Sequence, residues 1–166
     1  MKRVATVGVY GADLESFLSA LRAADVALVL DVRQRRGVRG REYAWANAQR
    51  LEAALAEAGI RYEHRRELAP TTELRQLQYR EDARRGEGKR SRSHLAPEYV
   101  ERYRREILDE ADLAAVFALL PEDATTALLC VERDPEACHR SLAAQELAAM
   151  YRLDVVHLRP GPVSDT

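Results

Sequence analysis

The stretch Val26-Ala27-Leu28-Val29-Leu30-Asp31-Val32-Arg33 decides the fold class of this chain. Its first five residues are apolar without interruption, a pattern typical of a strand that is buried on both faces. Such a strand belongs to a parallel sheet that is covered by helices on both sides. Asp31 and Arg33 then mark the carboxyl end of the strand, so the sequence predicts an α/β fold with a polar edge.

The alternation of strands and helices extends from this stretch toward both ends of the chain. Short β-branched or alternating runs predict further strands, and apolar residues at helical spacing predict the helices between them. We therefore expect a single α/β domain over residues 1–160, with a mainly parallel sheet flanked by helices, and a frayed tail over residues 161–166. The predicted strands are residues 4–9, 26–30, 60–64, 125–131 and 154–158, and the predicted helices are residues 14–21, 43–58, 71–85, 98–108, 112–120 and 141–151.

Residues 69–97 interrupt this alternation. The segment is helical in pattern and rich in arginine, with few apolar anchors such as Leu74 and Leu77. It is too polar to be core and too long to be a simple turn. We expect a helical insertion that serves as a lid or a binding surface.

Size and composition restrict the class of protein. The chain has 166 residues, of which 46% are hydrophobic and 32% charged. This composition excludes wholesale disorder, and the length suffices for a core without disulfide or metal staples. No apolar run reaches the roughly 18–20 residues that span a bilayer, and residues 1–9 lack the features of a secretory signal. The sequence predicts a cytoplasmic protein with no membrane partner.

The charge is balanced overall but clustered locally. The formal net charge is −1, which excludes a global basic field of the kind that attracts nucleic acid. Residues 31–41 nevertheless carry a local charge of +4 and residues 84–105 one of +5. Nearly all of these cations are arginines, whose planar fork suits phosphate and carboxylate. The two clusters indicate either anion-binding loops or ordinary solvated surface.

Polar side chains follow nearly every predicted strand. Asp31 and Arg33 follow the second strand, Glu132 follows the fourth, and Tyr10 follows the first. In an open parallel sheet the carboxyl ends of the strands form the usual ligand site. Asp31 and Glu132 are therefore the candidate acid and base groups. A structural bridge between Asp31 and Arg33 is the alternative at that position.

The segment Cys130-Val131-Glu132-Arg133-Asp134-Pro135-Glu136-Ala137-Cys138-His139-Arg140 carries the densest chemistry. Cys138 and His139 are expected in the first turn of a helix, where the dipole and Arg140 favour a thiolate. Three functional interpretations stay open: a Cys138 nucleophile with His139 as its base, an anion cradle, and a metal site of Cys130, Cys138 and His139. Packed, inert thiols are the structural alternative. Because the paired spacing of structural zinc sites is absent, we predict no metal and no cofactor.

Three functional hypotheses follow. The leading one is an enzyme that binds a phosphate-bearing ligand, a nucleotide or a nucleic acid, and hydrolyses an N-glycosidic or phosphodiester bond with acid and base groups. The second is a Cys138-dependent enzyme for a small anionic substrate, and the third is a non-enzymatic nucleic-acid or protein binding module that uses residues 84–105. The residues expected to hold phosphates or stack a base are Tyr10, Arg33, Arg36, Arg39, Trp45, Lys89, Arg90, Arg92 and Arg140.

The chain also resembles the DUF488 family, a group of small bacterial and archaeal proteins of unassigned function. The matching motifs include Leu30-Asp31-Val32-Arg33, Ala58-Gly59-Ile60-Arg61-Tyr62 and Cys130-Val131-Glu132 with Cys138-His139-Arg140. The resemblance implies the family's fold and assigns no activity. The chain departs from the family where Gly8-Val9-Tyr10 replaces a Gly-His-Ser motif, so any role of that His or Ser is absent here or taken over by Tyr10.

Overall fold

The predicted alternation of strands and helices is present in the computed structural model, which describes residues 1–88 and 90–161. The predicted phosphate ligand Lys89 and residues 162–166 of the predicted tail lie outside the described residues. The strands are β1 (Arg3–Val7), β2 (Val26–Asp31), β3 (Arg61–His64), β4 (Thr125–Leu129) and β5 (Val155–Leu158). The α-helices of the described residues are α1 (Leu14–Ala23), α2 (Ala48–Glu57), α3 (Thr72–Arg84), α4 (Pro97–Tyr103), α5 (Leu113–Leu119) and α6 (His139–Tyr151).

The strands form one parallel sheet with the order β3-β2-β4-β1-β5. Ala127 of β4 pairs with Ala5 of β1 on one side and with Val29 of β2 on the other. Every residue of β4 is buried, as expected of a central strand covered on both faces. These features confirm the predicted α/β fold with a parallel sheet.

Local signals in the sequence define several element boundaries. Asp13 caps α1, since its side chain accepts from the Ser16 backbone N–H at 2.8 Å while the Ser16 hydroxyl accepts from the Asp13 backbone N–H. Gly59 follows α2 with φ +76°, a left-handed conformation that glycine adopts without steric cost. Thr71 caps α3 by accepting from the Leu74 N–H.

The predicted helix over residues 43–58 is divided into two pieces. A 3-10 turn covers Arg41–Ala46, and α2 begins only at Ala48. Asn47 separates them in an extended conformation, and its Oδ1 accepts from the Val38 N–H at 2.7 Å. A contact with the loop after β2 therefore interrupts a segment whose composition predicts one helix.

The predicted insertion is helical and packs on the sheet side that carries α4 and α6. Its helix α3 contacts α4, which in turn contacts α6. Leu74 and Leu77 are the buried apolar anchors of α3, and Gln78 and Asp82 are buried beside them. None of the helices within the described residues is long and apolar enough to cross a membrane.

Candidate functional site

The strand order creates a cleft between the carboxyl ends of β2 and β4. The chain leaves β2 toward β3, whereas it leaves β4 in the opposite direction, past β1 to β5. A divergence of this kind opens a crevice at the switch point of an α/β sheet. The Val32 N–H donates to the Leu129 carbonyl at 3.1 Å, so residues 31–33 and residues 130–132 lie side by side at this crevice.

Asp31 and Arg33 form a buried bidentate ion pair. Arg33 donates from Nε to Asp31 Oδ1 at 2.9 Å and from Nη2 to Oδ2 at 2.7 Å. The Arg33 backbone N–H and the Tyr62 hydroxyl also donate to this carboxylate. The exposed fractions of Asp31 and Arg33 are 0% and 2%. The carboxylate expected to act as acid or base is thus fully occupied, and the guanidinium expected to bind phosphate is closed to solvent.

Tyr62 and Arg36 extend this ion pair toward the surface. Arg36 Nη1 donates to the Tyr62 hydroxyl at 3.3 Å, and that hydroxyl donates to Asp31. Burial, reinforced by the adjacent Asp31 carboxylate, raises the pKa of Tyr62 to about 12. Arg36, another predicted phosphate ligand, therefore supports the ion pair.

Arg140 organises the loop after β4. Its Nη1 donates to the Glu132 carbonyl, and its Nη2 donates to the Arg133 carbonyl at 3.0 Å. The residue is 0% exposed, and its Nε has no hydrogen-bond partner among the described residues. A guanidinium in this position shapes the loop and is out of reach of a phosphate, contrary to the expectation from the sequence.

Cys130, Cys138 and His139 form a buried cluster at the crevice. Each of the two sulfurs lies 3.8 Å from His139 Nδ1. The other ring nitrogen, Nε2, lies 2.7 Å from the Val32 carbonyl oxygen. Because a carbonyl only accepts, the neutral ring carries its proton on Nε2 and presents an unprotonated Nδ1 to the sulfurs.

The surroundings of Cys138 do not activate its thiol. Burial, with a further contribution from Cys130, raises the pKa of Cys138 to about 11. The sequence suggested the opposite direction, through a helix N-terminus and Arg140. In the structure Cys138 precedes the first residue of α6, and Arg140 is turned toward backbone carbonyls. The thiol-enzyme hypothesis gains no support from this geometry.

A chain of buried ion pairs connects the insertion to Glu132. The Arg92 guanidinium lies 2.8 Å from Asp82 Oδ2 and donates to Glu132 Oε1 at 3.0 Å. The second oxygen of Glu132 faces the cluster, since the Cys130 thiol donates to Oε2 at 3.4 Å. Arg92 was also expected to bind phosphate, but two carboxylates already occupy its guanidinium.

A small cavity opens directly onto these groups. It has a volume of about 50 Å³ and is lined by both sulfurs, His139 and Glu132, together with Arg33 and Arg92. Asp31 and Arg140 do not line it. The insertion forms much of the wall through Gln78 and Tyr79. The cavity therefore unites five of the predicted site residues and excludes Asp31 and Arg140; the five are Glu132, Cys138, His139, Arg33 and Arg92.

A larger groove of about 750 Å³ adjoins the cavity and is open to solvent. The two share the lining residues Arg35, Arg75, Tyr79 and Val131. We call it the arginine groove, because four arginines line it and no carboxylate does among the described residues: Arg35, Arg39, Arg75 and Arg90.

The arginines of the groove differ in their partners. Within the described part of the chain, Arg35, Arg39 and Arg75 have no carboxylate within 4.0 Å, while Arg90 lies 3.5 Å from Glu42 Oε1. Neutral groups orient Arg75, which donates to Gln34 Oε1 at 2.7 Å and to the Tyr79 hydroxyl at 2.9 Å.

Comparison with protein families gives one match that covers most of the chain. Residues 13–147 match the family described as "Domain of unknown function DUF488". The chain belongs to the DUF488 family. Comparison of this DUF488 protein with curated proteins and with solved structures gives no match.

Aromatic residues contribute unequally to the site of this DUF488 protein. Tyr10 lines the arginine groove, and the Arg90 guanidinium lies 5.1 Å from the ring centroids of both Tyr10 and Tyr43. Trp45 instead packs against Phe17 with ring centroids 5.0 Å apart. Tyr10 is therefore placed to contact a ligand in the groove, whereas Trp45 is part of the packing around α1.

The basic segment 84–105 of the DUF488 protein is largely neutralised by nearby acids. Arg84 and Arg85 pair with Glu81, and Arg102 pairs with Glu73 and Glu106. These pairs leave a mixed surface instead of a basic patch, and they give no support to a binding module that uses the whole segment.

Several site residues of the DUF488 protein were missed in the sequence, among them Gln78 and Asp82. Both lie on the buried stripe that Leu74 begins, and a polar pair at i, i+4 in such a stripe is a signal that could have been used. Arg75 carried no distinguishing signal, because its role depends on a groove that long-range packing creates.

Proposed function

We propose that this DUF488 protein is an enzyme that binds a phosphate-bearing ligand, a nucleotide or a nucleic acid, in the arginine groove. The enzyme would hydrolyse an N-glycosidic or phosphodiester bond at the mouth of the adjoining cavity. One observation carries the proposal: four arginines line the groove without a carboxylate among the described lining residues.

The charge of the groove supports a phosphate ligand. An arginine already paired with a carboxylate gains little from a phosphate, but Arg35, Arg39 and Arg75 have no such partner within the described residues. Their guanidinium groups can bind phosphate oxygens in bidentate fashion. The net charge of −1 favours a nucleotide or a short single strand over a long duplex, because duplex-binding domains usually carry a basic excess.

The ring of Tyr10, which lines the groove, supplies a surface for a base. Tyr43 neighbours Tyr10 with ring centroids 5.4 Å apart, and the Arg90 guanidinium lies 5.1 Å from both centroids. Base–aromatic stacking contributes about 1–3 kcal/mol per base and tolerates any base identity. The groove thus combines contacts for phosphate with a contact for a nucleobase.

Glu132 is the candidate catalytic base. Glu132 lines a cavity of about 50 Å³, which has room for a water molecule, and its Oε2 accepts from the Cys130 thiol. In the proposed reaction the water oxygen bonds to the phosphorus or the anomeric carbon and passes a proton to Glu132. The bond to the leaving group breaks, and its electron pair departs with the leaving group, which takes up a proton from solvent while Glu132 returns its proton to solvent. Asp31 acts here as a positioning residue for Arg33 and Tyr62.

Binding is tested with AMP and a labelled single-stranded oligonucleotide. The affinity for the oligonucleotide should fall with salt, with a slope of about −0.7 per phosphate contact in a plot of log K against log salt. The double variant Arg35→Ala/Arg75→Ala should bind about 100-fold more weakly or worse. Arg22→Ala is the matched control, an exposed arginine in the last turn of α1. Salt-independent binding, or equal losses in both variants, would overturn the proposal.

Turnover is tested with Glu132→Gln. This variant should lose roughly 100-fold or more in hydrolysis of a nucleotide or a phosphodiester while it still binds AMP in the groove. Circular dichroism checks that it is folded. Hydrolysis at the wild-type rate in a folded Glu132→Gln protein would remove Glu132 from the mechanism.

A further inference from the structure

The Cys130, Cys138 and His139 cluster has no task in the proposed hydrolysis. The three groups come from the residue after β4, the residue before α6 and the first residue of α6. Their two sulfurs and one ring nitrogen all lie within 4.8 Å of one another, and all three residues are buried. A cluster of three soft ligand atoms around one point requires an explanation beyond packing.

We propose that Cys130 Sγ, Cys138 Sγ and His139 Nδ1 bind a divalent metal ion of the zinc class. Binding of the ion stands on the geometry of these residues alone. Only a contribution of the ion to hydrolysis would rest on the proposed function.

The spacing of the ligand atoms fits a tetrahedral ion. Zinc binds sulfur at about 2.3 Å and imidazole nitrogen at about 2.0–2.1 Å, so adjacent ligand atoms on a tetrahedron lie about 3.5–3.8 Å apart. Both sulfurs lie 3.8 Å from His139 Nδ1. The two sulfurs lie within 4.8 Å of each other, which exceeds the tetrahedral separation by at most about 1 Å.

The imidazole is oriented as a metal ligand requires. Metal-binding histidines usually donate their second ring N–H to a carboxylate or a backbone carbonyl, which determines the tautomer. His139 makes this contact with the Val32 carbonyl at 2.7 Å. The nitrogen that remains unprotonated is the one that faces the two sulfurs.

Charge balance favours a divalent ion at this buried position. On binding, both thiols lose their protons to solvent, and two thiolates with a neutral imidazole compensate the two charges of the ion. Thiolate ligands select zinc over magnesium or calcium. The bound centre therefore adds no net charge to the protein interior.

The cavity leaves one side of the cluster accessible. Three protein ligands with an open fourth position are typical of catalytic zinc, whereas structural zinc usually has four protein ligands. Glu132 Oε2 lies 3.4 Å from Cys130 Sγ on the wall of the cavity. A water molecule at the fourth position would lie beside this carboxylate.

The sequence offers Cys130, Cys138 and His139 as one possible metal site, but their spacing is unlike that of structural zinc motifs. Structural zinc motifs were excluded since the paired short Cys spacings are absent, which led to the prediction of no metal. Here the sheet and the start of α6 bring the ligands together, so the spacing along the chain carries little information.

The experiment uses the full chain after reduction and treatment with a chelator. Titration with Co²⁺ should give one equivalent of binding with a thiolate-to-cobalt charge-transfer band and the visible bands of a tetrahedral ion, and Zn²⁺ should displace it. About two protons should be released per ion in weak buffer. Zn²⁺ should also raise the melting temperature.

Variants identify the ligands. Cys138→Ser and His139→Asn should lose the charge-transfer band, whereas His64→Asn should keep it. His64 is a matched control, because its Nε2 also lies 2.8 Å from a backbone carbonyl, that of Arg33. If a variant does not fold, the release of about two protons per ion by the wild-type chain tests whether both thiols are ligands.

Three results would overturn the metal site. They are the absence of stoichiometric cobalt binding, a charge-transfer band that persists in Cys138→Ser, and cobalt binding that releases no protons, which would show that the two thiols are not ligands. Metal binding without hydrolysis would refute the proposed function and leave the metal site intact.

Discussion

Replacing Asp31 with asparagine separates a structural role of this residue from a catalytic one. The carboxylate accepts hydrogen bonds from the Arg33 backbone and side chain and from the Tyr62 hydroxyl. Asparagine has a similar shape but no charge, and its amide N–H₂ would face the guanidinium. The variant therefore leaves a positive charge in the interior without its counter-ion.

The burial and the contacts of Arg33 determine how much stability Asp31→Asn should lose. Arg33 is 2% exposed, and its remaining side-chain hydrogen bond goes to the Ala46 carbonyl at 2.9 Å. Removal of one partner of a buried ion pair costs about 3–5 kcal/mol. At 2–4 °C per kcal/mol for a chain of this size, the melting temperature should fall by roughly 6–20 °C. Such a loss is a large part of a total stability of about 5–15 kcal/mol.

Urea denaturation at neutral pH measures the effect. Asp31→Asn should lower the midpoint without a change in the slope. The double variant Asp31→Leu/Arg33→Met should be more stable than Asp31→Asn, because it leaves no unpaired charge. A loss below about 1 kcal/mol in Asp31→Asn, together with abolished turnover, would refute the structural role and return Asp31 to the catalytic machinery.

Three further predictions concern tight packing, alkaline stability and thiol reactivity. Gly8→Ala should lower the free energy of unfolding by roughly 1–3 kcal/mol in urea denaturation, because a Cβ there would lie 1.9 Å from the Glu132 carbonyl oxygen. The control Gly37→Ala should be nearly neutral, because the closest neighbour of its Cβ would lie at 3.9 Å. The pKa of Tyr62, raised to about 12 in the folded state, lies above its unfolded value of about 10. The stabilisation that the protonated Tyr62 hydroxyl gives to the folded state is therefore fully present below pH 10 and is lost between about pH 10 and 12. Urea midpoints over this range should fall more steeply for the wild type than for Tyr62→Phe, and parallel curves would contradict the assignment. Cys138, with its pKa of about 11, should react with iodoacetamide at neutral pH about 100-fold more slowly in the folded metal-free protein than in urea, and equal rates would show that the thiol is accessible.

Much of the fold follows from local rules that act over a few residues. The uninterrupted apolar run before Asp31 predicts a central parallel strand, and Asp13 and Gly59 mark the ends of helices by their own backbone preferences. The break at Asn47 does not follow from such rules, because it depends on a hydrogen bond to Val38 in another loop.

The candidate site likewise has one part that local sequence predicts and another that depends on tertiary packing. The sequence by itself placed Asp31 and Glu132 at the carboxyl ends of two strands of one sheet, and hence at one edge of it. Only the tertiary structure decided what each charged group does there. Arg33 donates to the Asp31 carboxylate and Arg140 to the Glu132 carbonyl, while Arg35 and Arg75 line the groove.

The physical reason is that some interactions act between neighbours in the chain and others only between distant segments. Backbone propensity and hydrophobic periodicity act between neighbours in the chain, so the sequence displays them directly. The partner of a charge is selected by proximity in space and by exclusion of water, and both arise only when distant segments have packed together. Five arginines within residues 33–41 therefore look alike in the sequence, and the folded chain buries one of them and turns others to solvent.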